Sequence, residues 1–237
     1  MTETAELTAE VRNELRALGA DIVGFGDISA LPPGAREGLP VGISVAVKYP
    51  KAVIRGITSL PTQEYREWYD RLNERLDMIV THGAGLLAGR GFQAVAQTRE
   101  RVGAGGTDYR TALPHKTVAT RAGIGWIGKC ALLVTKQYGS MIRLSSILTD
   151  APLDRAEPVN KSRCGKCLEC TISCPAGAVY GKHWETGLQR DELLDPVKCS
   201  QTARERSMRG FGAGITICGK CIEICPHTRK YLEADDF

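Results

Sequence analysis

The sequence predicts a mixed α/β domain over residues 1–155 followed by a small cysteine-built module over residues 156–237. Three observations carry this. Helix-period and strand-like apolar patterns alternate as far as Leu148. Pro152 to Lys161, polar and with two prolines, then reads as a linker. Beyond it, eight of the nine cysteines crowd into residues 164–225.

Taken in order, residues 5–18 form an amphipathic helix with Leu7, Val11, Leu15 and Leu18 on one side, closed by Gly19. Asp21 to Phe25 is a short strand, and Leu31-Pro32-Pro33-Gly34 through Pro40 is a loop. Val41 to Val47, apolar almost throughout, reads as a central strand. Thr62 to Gly89 is a long helix whose stripe runs Tyr65, Trp68, Leu72, Leu76, Ile79, Gly83 and Leu86. Phe92 to Ala96 is a third strand, before the flexible Gly103-Ala104-Gly105-Gly106 loop. Lys116 to Ala122 is helical. Ala131–Thr135 and Met141–Leu148 read as a hairpin turning through Tyr138-Gly139-Ser140. Gly181 to Pro196 is polar and reads as a loop or short helix.

Cys164-Gly165-Lys166-Cys167-Leu168-Glu169-Cys170-Thr171-Ile172-Ser173-Cys174-Pro175 has the form C-x2-C-x2-C-x3-C-P, the spacing that bacterial ferredoxins use to hold [4Fe-4S] clusters. The run from Cys218 to Pro226 repeats its end, with Cys218, Cys221 and Cys225 opposite Cys167, Cys170 and Cys174. Ile215 stands opposite Cys164, so the second run is one ligand short, and the isolated Cys199 completes the count. In two-cluster ferredoxins the fourth Cys of a run serves the other cluster. That rule groups Cys164, Cys167, Cys170 and Cys225 on one cluster, and Cys174, Cys199, Cys218 and Cys221 on the other. Structural zinc is the bland alternative, but two C-x2-C pairs on one zinc leave four cysteines unexplained. The cysteine density is too low for a small disulfide scaffold. A ferredoxin-like module with two clusters accounts for all eight.

With 43% hydrophobic and 24% charged residues the chain is an ordinary globular protein. No leader pattern opens it, and no apolar run approaches the ~20 residues that span a bilayer, so a cytoplasmic location without membrane contact is expected. Net charge is +4. Between Arg99 and Arg143, Arg99, Arg101, Arg110, Lys116, Arg121, Lys129, Lys136 and Arg143 face only Glu100 and Asp108. That excess suits a phosphate-bearing cofactor, an anionic substrate or nucleic acid, or is simply a solvated basic face.

Gly123-x-Gly125-x-x-Gly128 matches a dinucleotide fingerprint as a string, but a helix precedes it and a strand follows, the reverse of what that motif requires. As a phosphate loop it carries Cys130 where a hydroxyl must bind magnesium. The stretch instead resembles the epoxyqueuosine reductases, cobalamin-dependent iron–sulfur enzymes of tRNA modification. The likeness lies in Arg121-Ala122-Gly123-Ile124-Gly125-Trp126-Ile127-Gly128-Lys129, in Tyr138-Gly139-Ser140, in Thr149-Asp150 and in the cysteine pattern with its lone Cys199. Reductive dehalogenases resemble it more distantly.

The resemblance implies a nitroreductase-like, cobalamin-binding N-terminal domain. It implies His115, Lys116, Arg121, Gly125, Trp126, Ile127, Gly128, Lys129 and Ser140 as cofactor-binding residues. The family's catalytic Asp, counted back from the glycine block, falls on Tyr109, with Asp108 one residue away; Tyr109 also matches the Tyr proton donor of reductive dehalogenases. Cys130 replaces the family's usual Asn, and the chain stops before the helical repeats that help the queuosine enzyme hold tRNA. Expected partners are a ferredoxin or flavodoxin as low-potential donor and a small-molecule or nucleoside-like substrate, with tRNA as a weaker expectation. Two functions stay open at this point: a cobalamin-dependent reductase, or an electron-transfer or corrinoid-reducing partner with no substrate of its own.

Overall fold

The structure is a computed structural model that describes residues 2–103 and 109–234. It divides into two compact units that alternate along the chain: one of residues 1–47, 72–125 and 143–159, the other of residues 48–71, 126–142 and 160–237.

The first unit is built on a sheet of order β1-β2-β6-β3. β1 (Ile22–Asp27) runs antiparallel to β2 (Val41–Lys48), and β3 (Ala94–Ala96) runs antiparallel to β6 (Ile142–Thr149). β2 is buried along nearly its whole length, as its unbroken apolar run requires. Helix α1 (Glu3–Ala17) is capped by the Thr2 hydroxyl and buries Leu7, Val11 and Leu15. Its Arg12 guanidinium lies 4.9 Å over the Phe25 ring of β1. Successive residues of a strand face opposite ways, so the neighbouring Gly26 turns to the other face. There a Cβ on Gly26 would come within 2.4 Å of the Arg121 backbone, which ends helix α5 (His115–Arg121). The sheet is thus covered on both sides.

Between β2 and β3 lie the short α2 (Lys51–Arg55) and the long α3 (Gln63–Ala88). The buried stripe of α3 follows the expected spacing, except that Leu87 rather than Leu86 is the core residue at its end. A single turn, α4 (Arg99–Val102), follows β3.

Two expectations are corrected. The hairpin does not form between residues 131–135 and 141–148. β5 (Leu133–Val134) pairs instead with β4 (Trp126–Ile127), and β6 enters the main sheet. The turn itself is real: the Thr135 and Gly139 backbones exchange hydrogen bonds of 2.8 and 3.2 Å. Pairing then stops because Ser140 N–H donates to the Thr228 hydroxyl (3.0 Å), which draws the chain away. Nor do residues 152–159 hang free as a linker. Asp154 N–H donates to the Thr8 hydroxyl, Ala156 N–H to Phe25 O and Val159 N–H to Thr120 O, each at 2.8 Å.

In the second unit, Ile127 and Ala131 pack with Trp184, Leu193 and Leu194. The segment 181–196, polar in composition, thus supplies three buried anchors. It leads through a 3-10 turn at Arg190–Glu192 into α7 (Pro196–Phe211), preceded by the single turn α6 (Glu169–Ile172) and followed by α8 (Lys220–Glu223) and α9 (Pro226–Glu233). Among the described residues no helix is long and apolar enough to cross a membrane.

Candidate iron–sulfur centre

All nine cysteines are free thiols. Four of them, Cys164, Cys167, Cys170 and Cys225, line one cavity of about 440 Å³, counted to its open mouth. Its remaining wall is Gly128, Lys129, Cys130, Val134, Pro226 and His227. Of the other four, Cys174 and Cys218 lie beside Cys199. Cys199, in the first turn of α7, is partly buried; burial, then the nearby Cys174 and Cys218 thiols and Asp195, push its thiol pKa up. Among the described residues no three His, Cys, Asp or Glu side chains close on a single metal-sized point. The sulfurs surround a volume instead.

Local sequence explains how the loops curl. Both runs contain Cys-Gly-Lys-Cys, and the glycine is left-handed in each, Gly165 at φ +53° and Gly219 at φ +75°. Pro226 starts α9 directly after Cys225. The Asp195 carboxylate caps α7 by accepting from Val197 and Lys198 N–H (3.0 Å each), which fixes the turn that holds Cys199.

The glycine block forms one wall of the cavity. A Cβ on Gly128 would meet the Val134 side chain at 2.9 Å, so glycine suits that close approach, and Cys164 Sγ lies 3.6 Å from the same point. Lys129 is 3% exposed, and its ammonium donates to Cys167 O at 2.8 Å. Trp126 packs its ring edge-on to His227, with centroids 4.9 Å apart, and Arg163 lies 6.0 Å over it. Buried polar donors seldom go unmatched, yet Trp126 Nε1 has no acceptor among the described residues. Burial lowers the pKa of His227, and Lys230 lowers it further.

The other predicted site residues are placed as follows. Ile127 is core. Gly125 is buried at the end of the first unit's second segment. Ser140 is buried against Thr228, and a Cβ on Gly139 would strike Thr228 N at 2.3 Å. Arg121 donates to Val159 O at 3.1 Å. His115 and Lys116 open α5 in the first unit. The His115 ring lies 2.9 Å from the Ser146 hydroxyl, and burial first, then Arg143, lowers its pKa to about 4. It is therefore neutral near pH 7. Tyr109 is 40% exposed with a left-handed backbone at φ +55°, a strained geometry for a side-chain-bearing residue. Asp108 lies outside the described residues. The basic run is not one free surface: Arg99 pairs with Asp77, Arg101 with Glu37, and Arg143 with the Asn73 amide.

Sequence reasoning missed two donors to cysteine sulfur. Arg206 Nε donates to Cys218 Sγ at 3.2 Å, and Ala178 N–H to Cys174 Sγ at 3.4 Å. Arg206 sits seven residues, two helical turns, after Cys199, a spacing that α7 places on one face.

Comparison with known proteins agrees with this geometry. Residues 163–228 match the family model of the 4Fe-4S double cluster binding domain. An epoxyqueuosine reductase of Listeria monocytogenes is 43% identical over 122 residues, which are 50% of this chain and 31% of that protein. The chain thus spans about a third of the length of the curated relatives it matches. Among solved structures, a reductive dehalogenase described in terms of B12-dependent dehalogenation superposes with a TM-score of 0.76 at 17% identity, covering 98% of this chain and 34% of that one. An epoxyqueuosine reductase with an epoxyqueuosine-modified tRNA stem loop superposes at 0.59 with 19% identity, covering 97% and 69%. Residues 163–228 thus match the 4Fe-4S double cluster binding domain, in a chain that is similar to epoxyqueuosine reductases over half its length and has a fold like that of the reductive dehalogenases.

Proposed function

We propose that the chain is an iron–sulfur reductase of the epoxyqueuosine reductase kind. Its eight cysteines would hold two [4Fe-4S] clusters that take low-potential electrons from a ferredoxin or flavodoxin, and a corrinoid would supply the reductive chemistry. The observation that carries this is the gathering of Cys164, Cys167, Cys170 and Cys225 around one cavity, with Cys174 and Cys218 beside Cys199 elsewhere. The donor set fits a cluster: four sulfurs around one cavity, and backbone and guanidinium N–H aimed at the sulfurs of Cys174 and Cys218. When bound, the clusters supply one-electron transfer at low potential.

The chain's own residues set how that transfer is held. Cys164, Cys167, Cys170 and Cys225 hold one cluster, and Cys174, Cys199, Cys218 and Cys221 the other. Lys129 pins the Cys167 carbonyl and with it the first loop. The Arg206 and Ala178 N–H groups act on the sulfurs of the second set and favour its reduced, more negative state. Tyr109, exposed and backbone-strained, is the proton donor in this reading.

Cobalamin enters the proposal through the likeness to proteins described as using it. The residues suggested for it do not form a grip. Arg121, Lys129 and Ser140 already hold protein partners, Ile127 is core, and the Trp126 indole N–H is without an acceptor among the described residues.

The test is anaerobic reconstitution with iron and sulfide, followed by cobalamin titration and assay on an epoxyqueuosine-modified stem loop. Iron matching two clusters, a cobalamin spectral change and deoxygenated nucleoside are expected. Zinc in place of iron, or loaded clusters with no response to cobalamin, overturns the reading.

A further inference from the structure

We propose that Lys129 is the built-in countercharge of the cluster held by Cys164, Cys167, Cys170 and Cys225, raising the reduction potential of that cluster and not of the other. The inference rests on the two-cluster reading above.

Lys129 is 3% exposed, and among the described residues no other Lys, Arg, Asp or Glu is buried. Its one polar partner among those residues is Cys167 O, at 2.8 Å. An ammonium carries three donors and a full charge. A carbonyl satisfies one donor and neutralises nothing. A cation taken out of water without an anion is strongly disfavoured, so this placement calls for a negative group close by.

The cavity is where that group belongs. Lys129 lines it together with Cys164, Cys167, Cys170 and Cys225. Thiolate is the form of cysteine that binds metal. Four thiolates around a [4Fe-4S] core leave a net negative charge, which grows by one on reduction. The cation is held to this site at both ends. Gly128 N–H donates to Leu132 O at 2.8 Å and Ala131 N–H to Gly128 O at 2.9 Å, closing the turn between β4 and β5 around Lys129. At the far end of the side chain, the ammonium is tied to the backbone of Cys167.

Holding a carbonyl does not by itself require a charge. A neutral amide would donate to Cys167 O without the desolvation of an ion. What the ammonium adds is a positive field, little screened where water is excluded, and such a field favours the reduced, more negative cluster. The other cysteine set has a cation of its own, since Arg206 Nε donates to Cys218 Sγ at 3.2 Å.

The test uses the full chain, anaerobically reconstituted, with iron analysis and redox titration followed by electron paramagnetic resonance. Wild type is compared with Lys129→Gln, which keeps a donor but loses the charge, and with Lys129→Arg, which keeps both. Full iron loading is expected in all three. In Lys129→Gln one cluster should become about tenfold harder to reduce, a fall of about 59 mV for one electron, with the other unmoved. Lys129→Arg should stay near wild type. Unmoved potentials in Lys129→Gln, an equal fall of both, or a fall in the signal that Arg206→Gln also moves overturn the inference alone. So does the same fall in Lys129→Arg, because the charge is then not what acts. Should Lys129→Gln load incompletely, the iron count decides. Loss of one cluster's iron, restored in Lys129→Arg, supports the countercharge; loss of both, or the same loss in Lys129→Arg, ends it. A wild-type chain that takes up no iron overturns the two-cluster reading and this inference together.

Discussion

Arg206 shows how one side chain can serve two ends of the second unit. Its Nε donates to Cys218 Sγ while another guanidinium nitrogen donates to Ser59 O, so the group is oriented before any cluster arrives. A charge-assisted donor on a ligand sulfur is stronger than a neutral one. Arg206→Gln should therefore lower the potential of the cluster held by Cys174, Cys199, Cys218 and Cys221 and leave the other unmoved. Redox titration with resolved cluster signals checks this; an equal shift of both would contradict the assignment of Cys218. At this scale the two cysteine runs stand out in the sequence because metal-ligand spacing is local, whereas Cys199 sits in no such run. Lys129 was legible only as a cation. That it turns inward to Cys167 O depends on a residue far along the chain, and no local pattern encodes that.

At the scale of elements, the Tyr138-Gly139-Ser140 corner decides how α9 meets the rest of the second unit. Tyr138 stacks edge-on to Tyr231 at 5.0 Å, Ser140 bonds Thr228, and Gly139 lies against the Thr228 backbone. Gly139→Ala must accept a left-handed backbone and a Cβ inside contact distance of Thr228 N. The expected cost is about 2–5 kcal/mol from strain and overpacking together. Chemical denaturation of the loaded protein should show it, with loosened α9 amides in hydrogen exchange. Wild-type stability would mean the corner gives way freely. The helices and central strands followed from periodicity. The hairpin was misread because residues 131–135 and 141–148 both carry strand patterns, while what separates them is the distant Thr228. Helix α7 escaped notice because its sequence is polar and few of its residues are buried.

For the molecule as a whole, the two units differ in what sustains them. The first has a sheet covered on both faces; the second relies on a modest apolar cluster around Trp184 and on many short turns. A unit of that kind draws much of its stability from what its cysteines bind. Chelating the iron should speed amide exchange across residues 160–234 while the β1 and β2 amides stay protected. Equal loss in both units would show that they unfold together. That the cysteines cluster late in the chain was readable from the sequence. The return of residues 48–71 and 126–142 to the second unit was not, since contacts alone determine it.

The two Cys-Gly-Lys-Cys tetrapeptides are identical in letters but not in surroundings. Nothing stands within 4 Å of a Cβ added to Gly165, whereas one on Gly219 meets Ile57 at 2.7 Å and Tyr65 at 3.0 Å. Over generations the first copy is free to accept asparagine, which tolerates the same left-handed turn, while the second stays hostage to a wall contributed from far upstream. Equal spelling thus hides unequal evolvability.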